Sequence, residues 1–177
     1  VRSFLDELYK ECITRYSKKW VKFVHVHTLT LPMSPRDIRL ILALEYIKEN
    51  PHWENIFIVD SLTVKCICNP FISIENNINS LFIASEKKKL LTNSMFLKKL
   101  KKIGEEINEE DIQERPTLNS DILGGHRDVL IPYLEQVQDI LERLHILFKE
   151  FNGGSFSIRH NMIAVNYVSL FYDNLLT

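Results

Sequence analysis

The chain has 177 residues, 45% of them hydrophobic and 25% charged, a globular balance that excludes a disordered or low-complexity segment. Twenty-two Lys and Arg face 23 Asp and Glu, so the net charge of −1 provides no global field to attract nucleic acid or acidic lipid. No run approaches the ~20 apolar residues of a membrane span and no signal-peptide core opens the chain, so no membrane partner is expected.

Glycine is nearly absent. The first is Gly104, followed only by the pairs Gly124-Gly125 and Gly153-Gly154. Phosphate-cradling loops need glycine for close backbone approach, and neither pair fits a dinucleotide or P-loop spacing. Nucleotide enzymes of those kinds are excluded and no cofactor is expected. The cysteines, Cys12, Cys66 and Cys68, are odd in number, and no N-x-[ST] acceptor occurs. Both features favour a reducing compartment, the nucleus or cytoplasm. The length suits a single domain spanning 1–177, and the ends, Val1-Arg2-Ser3-Phe4 and Leu175-Leu176, read as cuts within a larger protein.

Phe4, Leu5, Leu8, Cys12 and Tyr16 recur at helical spacing, so the chain opens with an amphipathic helix. From Val24 to Leu31 the pattern alternates like a strand, although Trp20, Phe23, Val24 and His27 also keep a helical period. Ser34-Pro35-Arg36-Asp37 is a helix start: Ser34 caps, Pro35 suits the first position, and Asp37 meets the positive end of the dipole. That helix runs through Ile47 and stops at Asn50-Pro51.

Residues 54–68 read equally as strand or interior helix. The segment 71–94 reads as loop plus a short helix around Leu81-Phe82-Ile83. Phe96, Leu100, Ile103 and Ile107 mark a further helix, and 105–123 reads as an acidic surface connection broken by Pro116. Leu130, Leu134, Val137, Leu141, Leu144, Phe148 and Phe151 give the strongest periodicity. Asp128 caps that helix, and a second line through Val129, Tyr133, Ile140 and Leu147 widens its apolar stripe to two neighbours. A last helix runs through Met162, Val165, Tyr167, Leu170 and Phe171. The expected fold is mainly α, a bundle-like domain of five or six helices. A small two-stranded β element at 22–31 and 55–68 stays open as an addition.

Three constellations carry chemistry. His25-x-His27 and Cys66-x-Cys68 would each place two ligands on one strand face and could together form a Cys₂His₂ zinc set, although their spacing departs from the usual zinc motifs. Packed core cysteines explain the same residues. A thiol nucleophile pairing one cysteine with His126 or His160 lacks any local activating sequence. The stripe at 87–102 holds seven lysines, and Lys98, Lys99, Lys101 and Lys102 would share the face opposite Phe96 and Leu100, able to neutralise phosphates. A solvated helix face accounts for it as well, and the acidic pairs at 105–111 oppose it.

The reading these residues favour is a non-enzymatic scaffold or adaptor domain of a larger intracellular protein. Its partner, another protein, would bind an apolar helical face. The expected anchors are Tyr167, Leu170, Phe171 and Leu175, the large apolar types that dominate interfaces. A secreted helical cytokine is the remaining class, disfavoured by the odd cysteine count.

Overall fold

The computed structural model describes residues 33–60, 64–90, 97–99, 101, 109–112, 114–151 and 160–177. The chain divides after Pro32 into two units, and all of these residues belong to the second, Met33–Thr177. The elements expected before Pro32, including the strand or helix at 22–31, lie outside the described residues, as do Phe96, Leu100, Ile103 and Ile107.

The fold is not the expected helical bundle. A four-stranded mixed sheet runs through the unit with helices packed against it, an α/β arrangement. In chain order the described elements are α1 (Pro35–Glu49), β1 (Asn55–Val59), α2 (Phe71–Asn76), β2 (Leu81–Lys89), α3 (Glu109–Ile112), β3 (Pro116–His126), α4 (Arg127–Phe151), α5 (His160–Ser169) and β4 (Leu175–Leu176). The strand order is β1-β3-β2-β4, with β3 antiparallel to both neighbours and β4 parallel to β2.

The start of α1 forms as its sequence dictates. Ser34 is the N-cap, its Oγ accepts the Asp37 N–H at 3.2 Å, and Pro35 stands in the first turn. Ile38, Leu40, Ile41, Leu44 and Ile47 line its buried side. The long helix α4 buries Leu130, Leu134, Val137, Leu141 and Leu144 of one expected line and Tyr133 and Ile140 of the other. It packs on α1 and α5, and α5 packs on β3. Pro132 falls inside α4 rather than within a first turn begun by Asp128, because the helix starts at Arg127.

Three expectations fail at the sheet. The run Leu81-Phe82-Ile83 opens β2 instead of a short helix. The second half of the supposed connection at 105–123 is most of β3, the strand with a partner on each side. Of the described residues in 54–68, only Asn55–Val59 form a strand; Val64–Cys68 do not, and β1 pairs with β3. Gly124 and Gly125 stand near the C-terminal end of β3, where neighbours occupy the space a side chain would need. A Cβ on Gly124 would lie 2.3 Å from the Phe57 ring, and one on Gly125 would lie 3.2 Å from the Ser80 carbonyl oxygen.

Pairing of β3 with β2 shifts register twice, after Ile83 and again after Ser85. Ile83 faces Leu123 but Ala84 faces Asn119, so Ser120–Ile122 bulge away from β2. This bulge determines where the buried polar groups gather.

Candidate functional site

The two faces of the sheet differ in chemistry. On the inner face Ile56, Ile58, Leu81, Ile83 and Leu123 join the core beneath α1, α4 and α5. Crossing that core is a seam of buried polar groups centred on Asp37, which is only 2% exposed. Its Oδ1 accepts the Asn161 N–H at 2.7 Å, and its Oδ2 accepts the Ser34 hydroxyl at 2.8 Å. One carboxylate thus satisfies donors at the N-terminal ends of both α1 and α5, where two helix dipoles favour negative charge.

Asn161 continues the seam by donating from Nδ2 to Ser120 Oγ at 2.7 Å, inside the bulge. Arg39 donates to the Ser120 carbonyl at 2.8 Å and pairs with Asp60 at 3.2 Å. Asn166, five residues along α5, takes both backbone groups of Leu118 at 2.8 Å, supplying what a neighbouring strand would supply where β1 has ended. Tyr133 donates to the Val165 carbonyl at 3.0 Å, with Ser169 Oγ also at 3.0 Å.

His160 lies 3.9 Å from Asp37. Burial, with the nearby charges of Lys99 and His145, pushes its imidazole down to about 4, so it is neutral at pH 7. Burial raises Asp37 above its ordinary value against the lowering pull of its hydrogen bonds, Ser34 first. An acid and a base therefore sit side by side, but the carboxylate is occupied by helix caps. As chemistry this is a clasp between elements.

The outer face is built differently. Register aligns Phe57, Gly124, Phe82 and Leu176 in one row across all four strands. Phe57 and Gly124 form a non-hydrogen-bonded pair, in which side chains approach closely. The missing Cβ lets the Phe57 ring settle over the central strand, 6.1 Å from Phe82 and 5.8 Å from Phe71 of α2. Ile74 of α2 is fully buried, whereas Phe71 (39%), Ile72 (54%), Val59 (45%) and Leu176 (39%) remain exposed. This apolar strip follows from strand alternation: Phe57 and Val59 must face away from the core because Ile56 and Ile58 face into it.

The sequence-expected sites are dispersed. Tyr167 is buried in the core, edge-on to Phe171 at 5.4 Å, and so provides no exposed anchor. Leu170 and Leu175 pack partly against the core and line a cleft of about 330 Å³ with Leu90, Arg115, Asn166 and Tyr172. Arg115 donates there to the Ser169 carbonyl at 3.0 Å. Phe171 is exposed, but it follows α5 rather than belonging to a helical face.

Lys98 and Lys101 are exposed while Lys99 is 9% exposed, its ammonium shifted down by burial, so these lysines do not share one solvated stripe. Lys102 lies outside the described residues. Cys66 and Cys68 are exposed thiols, with Cys66 donating to the Cys68 carbonyl at 2.9 Å; His25 and His27 lie outside the described residues. Among the described residues no group of three or more His, Cys, Asp or Glu is placed to hold a metal ion. His126 lies 3.5 Å from Asp128, and Cys12 is outside the described residues.

Sequence reasoning missed the outer row and the two asparagines. The signal for the asparagines was legible: Asn161 precedes and Asn166 interrupts an otherwise apolar run, Met162 to Val168, and a buried amide must find partners. No described helix is long and apolar enough to cross a membrane. Compared with protein-family models, curated proteins and solved structures, the chain matches none.

Proposed function

We propose that this unit is a non-enzymatic protein-binding domain of the scaffold or adaptor kind, working inside the cell, and that it meets its partner with the outer face of the sheet. The observation that carries this reading is the exposed apolar strip of Val59, Phe71, Ile72 and Leu176 around the Phe57–Gly124–Phe82 row. The inner face already buries a complete core, so these side chains are not needed to close the fold. Exposed apolar surface of this kind on a folded domain is an interaction site. Aromatic residues at its centre, Phe57 and Phe82, match the core of a binding patch. The surface thus moves from the expected last helix to the sheet. Exposed Cys66 and Cys68 thiols support a reducing compartment.

The test compares capture by the wild-type chain and by a triple variant, Val59→Ser, Ile72→Ser and Leu176→Ser, from nuclease-treated lysate. A protein retained near one-to-one by the wild type and lost by the variant, with unchanged circular dichroism, supports the reading. Equal retention by both overturns it. Binding that disappears with nuclease and with Lys98→Glu and Lys101→Glu would replace it with nucleic-acid binding.

A further inference from the structure

The cleft of about 330 Å³ lies where the start of β3, the end of α5 and the turn into β4 meet. Leu90 and Leu118 on its lining are buried, and Leu170 and Leu175 pack partly against the core, so its surface is largely aliphatic. Its volume stands at the lower end for ligand sites, which suits a small molecule.

Two charged residues stand in this apolar setting. Arg115 immediately precedes β3, and its backbone is held from both sides: its carbonyl accepts the Leu90 N–H at 2.9 Å, and its N–H donates to the Ile112 carbonyl at 3.2 Å. Its Nη1 donates to the Ser169 carbonyl at 3.0 Å, at the C-terminal end of α5, where the helix dipole favours a cation. That cap fixes the guanidinium but uses only part of its donor fork. Asp173 is exposed on the turn between α5 and β4. Both residues line the cleft, yet they do not pair with each other, and among the described residues neither has an ion-pair partner. A cation and an anion left unpaired beside an aliphatic floor are the complement of a zwitterion.

We infer that this cleft binds a free aliphatic α-amino acid, with its carboxylate on the Arg115 fork, its ammonium on Asp173 and its side chain against Leu118, Leu170 and Leu175. A guanidinium already held in place takes a carboxylate in bidentate form at little ordering cost. An apolar acid without an amine would set its carboxylate near Asp173 with nothing between them, and an amine without a carboxylate would meet Arg115 in the same way. Only a molecule carrying both charges satisfies both residues. The aliphatic preference follows from the remaining polar side chains. Asn166 is already bonded to both backbone groups of Leu118 and to the Met162 carbonyl, and Ser169 Oγ to Val165 and Tyr133. A polar ligand side chain would therefore be buried against leucines without a partner. None of these residues belongs to the outer strip, so the site stands independently of the protein-binding reading.

Titration of the full chain with L-leucine, followed by calorimetry and heteronuclear NMR, tests it. The expected result is saturable one-to-one binding, with the largest shifts at the amides of Arg115, Leu118, Asp173 and Leu175. Isocaproate lacks the ammonium, isoamylamine lacks the carboxylate and glycine lacks the side chain; each should bind roughly tenfold more weakly or worse. Asp173→Asn alters an exposed side chain that makes no described bond, so the fold should be unchanged. It should weaken L-leucine roughly tenfold while leaving isocaproate unaffected or improved, a split that a merely structural role would not produce. Arg115→Lys keeps the charge but loses the fork, and should also weaken L-leucine roughly tenfold. No saturation at millimolar L-leucine overturns the site. Isocaproate binding as well as L-leucine, or an Asp173→Asn chain that binds L-leucine like the wild type, overturns the zwitterion.

Discussion

The inner seam and the outer strip occupy opposite sides of the same sheet and reverse the usual association of charge with water. Asp37, among the least exposed residues of the unit, is ionisable, whereas Ile72 and Val59 on the outside are half exposed and apolar. The difference teaches where each kind of residue obtains its stability. Asp37 is tolerable inside because two helix ends and a hydroxyl surround it. Ile72 and Val59 gain nothing comparable from their surroundings, so the fold should not depend on them.

Substitution should separate the two regions. Asp37→Ala leaves the Asn161 N–H at the start of α5 buried without its acceptor and takes the partner of the Ser34 hydroxyl at the start of α1, and should cost about 2–4 kcal/mol in denaturant unfolding. Asp37→Asn keeps one acceptor and should cost less; equal losses would show that the carboxylate does not serve both helices. Gly124→Ala comes next, at about 1–3 kcal/mol, since the new methyl displaces the Phe57 ring. A double-mutant cycle with Phe57→Leu should recover part of that loss, and strict additivity would separate Gly124 from the ring.

The third effect is a pH dependence. His160 takes up its proton at about 4 in the folded protein but near 6.5 when unfolded. Between these values the unfolded chain binds more protons, so stability falls as pH is lowered through this window, by up to about 1–3 kcal/mol. Asp37, raised above 3.8, works in the opposite sense at the lower end, because there the folded form holds the proton more tightly. Thermal melts from pH 7 to pH 5 check the slope, and His160→Gln should flatten it. The smallest effect belongs outside: Ile72→Ser should change stability by no more than about 0.5 kcal/mol. A large loss there would make the outer strip part of the core.

The helices were legible in the sequence because their signals are local. Ser34-Pro35-Arg36-Asp37 carries its own cap, and the stripe from Leu130 to Leu144 carries its own period. The sheet was not legible because its signals are distant. Thr117, Ser120, Gly124 and Gly125 make β3 look like surface chain. They are buried through groups far away: Ser120 by Asn161, Gly124 by Phe57 and Gly125 by Leu81. Ile56-Phe57-Ile58-Val59 fits a strand or an interior helix until β3 is there to pair with it. Of the residues expected as binding anchors, Tyr167 fills the core, whereas strand alternation sends Phe57 and Phe82 outward.

The register between β1 and β3 also sets an order of events on the ribosome. Asn55 finds its partner only at His126, and Asp37 finds Asn161 later still. During synthesis β1 emerges as a bare apolar strand with both flanks open, and it keeps that exposure until about 70 further residues have been added. Contacts of such long sequence separation close slowly, so the nascent chain passes through an interval in which association with neighbouring chains competes with completing its own sheet.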